Sequence, residues 1–267
     1  MTQVETFVGS EYNDFFSVRS QQGYRHTDRV SFEGRGGDDV FDSTLGPNHF
    51  DGGAGIDVVD YRDAWFVSDE SRFVGEGIRV DLAAGTGHGG AAEGDTYTSI
   101  ERVIGSERAD VLIAGSNTAQ LHGGNGNDWL LAGPNGHYMN GNGGSNTASF
   151  VNLQDTPGRE AAEFRIRINL QEGKAHSHDP SQVYDLISIE RATGTIFADL
   201  LRGDENDNEL RGLGDYDWFI ATTGNDTLDG GNGQDMITFL EWGGAGRATI
   251  TDVFSATGAP PSGAQAN

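Results

Sequence analysis

The 267-residue sequence carries 41 Asp and Glu against 17 Lys and Arg, a net charge of −24, with 41 glycines, about twice ordinary usage, and 35% hydrophobic residues. No basic stripe is present to neutralise phosphates, so nucleic acid and anionic membrane surfaces are poor partners and cations are favoured. The absence of cysteine removes disulfides and thiolate metal sites, and so small an apolar fraction cannot build a thick core.

In chain order, Met1–Ser10 lacks a basic segment followed by an apolar run, so no cleavable export signal is expected, and no stretch is long enough to span a membrane. Residues 1–31 read as an N-terminal partial repeat. From Phe32 a nine-residue spacing of hydrophobes sets in: Phe32, Phe41, Phe50 and Val59; then Val103, Leu112, Leu121, Leu130, Met139 and Ala148; then Leu201, Leu210, Phe219, Leu228 and Ile237. These define repeat blocks at 32–60, 103–149 and 192–238. Two residues before many of these hydrophobes stands an aspartate, preceded by glycines, as in Gly52-Gly53-Ala54-Gly55-Ile56-Asp57-Val58-Val59 and Gly230-Gly231-Asn232-Gly233-Gln234-Asp235-Met236-Ile237. This is the nonapeptide G-G-x-G-x-D-x-U-x.

Insertions at 61–102 and 150–191 separate the blocks and resemble each other. Ile78-Arg79-Val80-Asp81-Leu82 matches Ile166-Arg167-Ile168-Asn169-Leu170, and Ser99-Ile100-Glu101-Arg102 matches Ser188-Ile189-Glu190-Arg191. Both alternate apolar and polar residues, which predicts half-buried strands. Asp39, Asp128 and Asp217 stand 89 residues apart, so a super-repeat overlies the nonapeptides. Residues 239–267 read as a truncated third insertion followed by a disordered Gly-, Pro- and Ala-rich tail from Ala256. The chain is expected to be one continuous solenoid and a piece of a longer protein.

The predicted fold is all-β: a parallel β-roll, or β-solenoid, in which glycine turns join three-residue strands and two nonapeptides complete a coil. Residues eighteen apart then stack at the strand spacing of about 4.8 Å. This sets carboxylate on carboxylate: Asp39 with Asp57, Asp110 with Asp128, Asp199 with Asp217, Asp217 with Asp235, and Asn208 with Asp226 on the opposite edge. Two charges at that distance repel by roughly 3 to 4 kcal/mol at an effective dielectric of 20, comparable with a whole domain's net stability. A dication reverses the sign, and a pliable all-oxygen site favours calcium over magnesium or zinc.

The nonapeptides and the insertions resemble the RTX (repeats-in-toxin) family of calcium-binding β-rolls found in type I-secreted bacterial proteins. The resemblance implies several Ca2+ ions, each held by stacked aspartates and by turn carbonyls: Gly37, Gly52, Ala54, Gly123, Asn125, Leu213, Asp215, Gly230 and Asn232. It also implies export through the type I secretion machinery and folding in extracellular calcium, in a module that is not itself an enzyme. Alternative roles are a polysaccharide-binding accessory of a secreted enzyme, such as an alginate epimerase or protease, and an adhesin or surface-layer segment with a cell-surface ligand. Arg108, Asn117, Asn135 and Asn206 replace a motif glycine, and Ala119 and His137 replace the aspartate, so those turns are expected to be weak or empty.

The histidines form no His-Glu-x-x-His, and His176-Ser177-His178-Asp179 is expected to be solvated surface. Trp129 and Trp218, at equivalent outward positions, are expected to pack beneath the insertions.

Overall fold

A computed structural model describes residues 5–17, 29–43, 46–63, 77–117, 119–153, 164–239, 246–251, 255–257 and 265–266. The chain is all-β and parallel-dominated, as expected of a β-roll. It forms two compact units, one of residues 1–130 with 140–144 and the other of 131–139 with 145–267.

In the first unit the short strands fall alternately into two sheets. Val30–Glu33 and His49–Asp51 pair in one, with Phe32 opposite Phe50, and Val40–Asp42 and Val58–Asp60 pair in the other, with Phe41 opposite Val59. Three-residue strands present one side chain inward, which is why a single hydrophobe per nonapeptide suffices: Phe41, Phe50 and Val59 are fully buried while their strand neighbours are mostly half-exposed. Parallel register stacks these rings. Phe32 lies 5.4 Å from Phe50 at 5°, Phe50 lies 6.0 Å from Tyr97 at 9°, and Phe41 closes from the other sheet at 5.7 Å from Phe50. Each such pair is worth about 0.5–1.5 kcal/mol beyond its buried area.

The insertions are built into the sheets. Val103 follows Val59 in direct parallel register, so the first insertion amounts to one enlarged coil. Its strands Arg79–Asp81, Thr86–His88 and Thr96–Thr98 form an antiparallel meander inside the opposite sheet. The meander is bounded in parallel by His49–Asp51 on one side and Val111–Ile113 on the other. Ile78 and Val80 are buried and Arg79 exposed, as the alternation predicts. Ser99-Ile100-Glu101, by contrast, is a turn; strand begins only at Arg102.

The second unit repeats the device. Ala148 pairs with Ala192, while Ile166–Asn169, Lys174–Ser177 and Val183–Ile187 form an antiparallel meander that joins Leu200–Arg202 of the other sheet. The eighteen-residue register then resumes, Leu201 with Phe219 and Ile237, and Leu210 with Leu228. Within the tail, Ser255–Thr257 pairs with Met236–Thr238, and Gln265–Ala266 pairs with the strand Gly246–Thr251. Residues 258–264 and 267 lie outside the described residues. A three-residue strand with a waiting sheet edge needs little sequence signal of its own, so the composition of this tail does not forbid pairing.

Removing a ring from the stack should be costly. Phe50→Ala is expected to destabilise the calcium-saturated protein by roughly 3–5 kcal/mol in denaturant unfolding, whereas Tyr12→Ala, at an exposed ring, should change stability by about 0.5 kcal/mol or less.

Candidate metal centre

Each predicted aspartate stands two residues before an inward hydrophobe, Asp226 within the strand Gly224–Asn232 and the others just before their strands, and the coils bring the predicted pairs together. The backbone N–H of Asp39 donates to Asp57 Oδ1 (2.8 Å), Asp110 to Asp128 (2.9 Å), Asp199 to Asp217 (2.9 Å), Asp217 to Asp235 (2.9 Å), and Asn208 to Asp226 (3.1 Å). All these side chains are buried. One carboxylate oxygen is thus spent on the coil below. The second, Oδ2, has no hydrogen-bond partner in Asp39, Asp57 or Asp217 although it is buried.

At Asp39, Asp57, Asp110, Asp128, Asp199 and Asp217 the glycine five residues earlier makes room for that second oxygen, whereas Asp226 has Ala221 at the same offset. A methyl group on Gly34 would collide with both Asp39 Oδ2 and the Gly52 carbonyl oxygen. On Gly212 it would meet Asp217 Oδ2 and the Gly230 carbonyl, and on Gly105 it would meet Asp110 Oδ2 and the Gly123 carbonyl. Carboxylate and carbonyl oxygens therefore converge on the open side of a glycine. Of the other carbonyls implied by resemblance, that of Ala54 accepts the Gly37 N–H (3.0 Å), while those of Gly37, Leu213 and Asp215 face Gly55, Gly231 and Gly233 of the next coil. Asn125 bridges to Gly143, and Asn232 is the register partner of Gly214.

Burial pushes the carboxyls upward, to about 6 in Asp57 and Asp110 and about 7 in Asp128, Asp199 and Asp226. Asp39 is also raised by burial. Asp217 reaches about 9, because burial is joined by the charges of Asp199 and Asp235 on either side. A buried carboxylate oxygen without a donor, as in Asp39, Asp57 and Asp217, is what a cation site looks like with the cation subtracted, so these residues fit calcium; in Asp110 and Asp199 the second oxygen instead accepts the N–H of Ser106 and of Thr195. Among the described residues no three His, Cys, Asp or Glu side chains converge, so the shell must be completed by carbonyls or water. When bound, the ion supplies the positive charge that offsets carboxylate repulsion.

Several rungs escaped the nine-residue count. Asp14 N–H donates to Asp39 Oδ1 (2.7 Å), Asn48 N–H to Asp95 Oδ1 (2.8 Å), Asp57 N–H to Glu101 Oε2 (3.2 Å), and Asn146 N–H to Glu190 Oε2 (2.7 Å). The signal that finds them is the two-residue offset from a strand-centre residue: Phe16, Tyr97, Val103 and Ala192. Outside the ladders, His176 is exposed and Ser177 buried at the end of the strand Lys174–Ser177, and Asp179 accepts from the Ser181 N–H (2.9 Å) in the turn that follows. Trp218 is half-buried, 6.3 Å from Phe164 of the second insertion and bonded through Nε1 to Thr238 (2.8 Å), whereas Trp129 is 44% exposed.

A family model described as the RTX calcium-binding nonapeptide repeat (4 copies) matches residues 32–62, 98–130 and 212–239. Those ranges contain Asp39, Asp57, Asp110, Asp128, Asp217, Asp226 and Asp235. No curated protein matches the chain.

Because the folded carboxyls titrate above the ordinary value of 3.8, the metal-free fold binds more protons than the unfolded chain between about pH 4 and 9. Stability in chelator is therefore greatest at acid pH and falls as pH rises through that window. Circular dichroism in EGTA should show strand signal at pH 5 that is lost by pH 9, and calcium affinity should change in the opposite sense, rising with pH.

Proposed function

We propose that this chain, which carries RTX calcium-binding nonapeptide repeats and is a calcium-binding module, is a secreted, non-catalytic part of a bacterial protein that folds when it meets extracellular calcium. The observation that carries this reading is the ladder of buried carboxylates, each with one oxygen committed to the neighbouring coil and the other, in Asp39, Asp57 and Asp217, without a donor. At low calcium and neutral pH such a ladder repels itself, which keeps the chain open for passage through a type I secretion channel. At millimolar calcium the same ladder becomes the element that holds the coils, so metal binding and folding are one event. Its acidic side chains are occupied as turn ligands rather than poised for proton transfer, which supports a non-catalytic role. Among the described residues no helix is long and apolar enough to cross a membrane.

The exposed indole of Trp129 supports an additional role, stacking on sugar rings of a polysaccharide. Calcium-dependent glycan-array binding that Trp129→Ala abolishes is its expected signature.

Titration of calcium from chelator to about 10 mM, followed by circular dichroism at pH 8, should convert a coil spectrum to a strand spectrum. An unchanged spectrum would falsify the folding-switch reading. Asp217→Asn carries a two-signed expectation: it should weaken the calcium response, yet stabilise the metal-free state at pH 8 by replacing a carboxyl that must take up a proton to be buried.

A further inference from the structure

Glu101 stands where the next aspartate of its ladder would stand. Val103 is the parallel register partner of Val59, and Glu101 precedes Val103 by the same two residues that separate Asp57 from Val59. The enlarged coil of the insertion therefore delivers a glutamate over Asp57, and the Asp57 N–H donates to Glu101 Oε2 at 3.2 Å, just as the Asp39 N–H donates to Asp57 Oδ1 at 2.8 Å. Asp57 is wholly buried and its Oδ2 has no hydrogen-bond partner. That oxygen and the Ser99 carbonyl oxygen both crowd the open side of Gly52, where a methyl group would collide with each. Ser99 follows Thr98, the register partner of Asp51, and so stands where Gly52 stands in the regular turn, with a left-handed backbone, φ 51°. A serine is held there by its surroundings rather than by preference.

We propose that the end of the first insertion is a further calcium site, held by the carboxylates of Asp57 and Glu101 and the carbonyl of Ser99, and that its ion fastens the insertion to the repeat block. The inference rests on the reading of the regular turns as calcium sites and extends it to a glutamate outside the nonapeptide motif. The other edge of the same insertion shows what a rung without an ion looks like: Asp95 Oδ1 accepts the Asn48 N–H, and Asp95 Oδ2 accepts the Tyr61 hydroxyl at 2.7 Å. Asp57 has no such donor. Two carboxylates and a carbonyl, on a turn that can adjust, are the ligand chemistry that calcium takes. In the second unit Glu190 accepts the Asn146 N–H in the same way, following Ser188 with φ 52°.

Glu101→Gln separates a ligand from a purely structural acceptor, because the amide oxygen can still take the Asp57 N–H while the charge is gone. In calorimetric titration of the full chain with calcium, E101Q should bind one ion fewer, or one ion about tenfold or more weakly. Glu93→Gln, which removes a carboxylate that accepts the Gly89 N–H in the same insertion, should match the parent. Identical isotherms for E101Q and a calcium-binding parent would overturn the site. A parent chain that takes up no calcium would instead sink the reading of the whole module, and this site with it. Terbium in place of calcium in crystals of the unaltered chain gives a check without mutation: anomalous density is expected among Asp57, Glu101 and Ser99, and density at the regular turns with none here would refute the proposal.

Discussion

Stacked acidic side chains, buried one coil apart, are the constraint on which the rest of this structure depends. Each is held in place by a backbone N–H from the neighbouring coil, so the same hydrogen bond that fixes the register also fixes the carboxylates at repelling distance. The inward core cannot outweigh that repulsion freely, because each nonapeptide contributes only one inward strand residue. At roughly 3 to 4 kcal/mol per unscreened pair, a few rungs equal the net stability of an ordinary domain. The fold therefore requires either protons or a cation on its edges. The upward displacement of the Asp57, Asp128, Asp199 and Asp217 carboxyls expresses that requirement in the metal-free protein.

Turn shape is set by the ladder as much as by glycine. Gly53 and Gly55 take positive φ as the motif leads one to expect, yet Leu213 (φ 89°) and Asp215 (φ 69°) also take positive φ before Asp217. The strands there run on through the turn, Leu213 opposite Gly231 and Gly214 opposite Asn232, so inter-coil pairing over-determines the backbone. A side chain in the left-handed region costs on the order of 1–3 kcal/mol and persists where neighbours enforce it. Gly34, Gly105 and Gly212, five residues before their acids, are a different case: the missing Cβ is what leaves space for carboxylate and carbonyl to meet.

The nine-residue count made the regular part of the fold legible because twice nine is the inter-coil register itself. Phe32 over Phe50, Leu201 over Phe219 and every predicted aspartate pair follow from it directly. Where a coil is enlarged the count fails, and with it went Asp95, Glu101 and Glu190, whose stacking partners lie 44 to 47 residues away. The offset from the strand centre survives the insertion even though the period does not. The sheet that receives each meander was not legible, because nothing in Arg79-Val80-Asp81 distinguishes one face of the coil from the other; closure of Val59 onto Val103 decides it by leaving the opposite sheet a strand short. Ser99-Ile100-Glu101 alternates like a strand but serves as the turn that presents the acid, so alternation over three residues is too short to separate the two.

The first insertion contains two answers to one electrostatic problem. On one edge Asp95 is almost fully buried, its carboxyl lifted to about 8 mainly by burial, and Tyr61 supplies the hydroxyl that its second oxygen needs. Burial raises both Tyr61 and Tyr97 well above the usual phenol range, so Tyr61 keeps the proton it donates at any ordinary pH. That rung is satisfied by the chain alone. On the other edge Asp57 meets Glu101 with no protein donor for its second oxygen, and only an added positive charge can complete it. An enlarged coil loses the close spacing that fixes its neighbours, and a rung that needs no ion gives it one edge that can order before calcium arrives. The opposite edge then couples completion of that coil to the same ion that completes the regular turns.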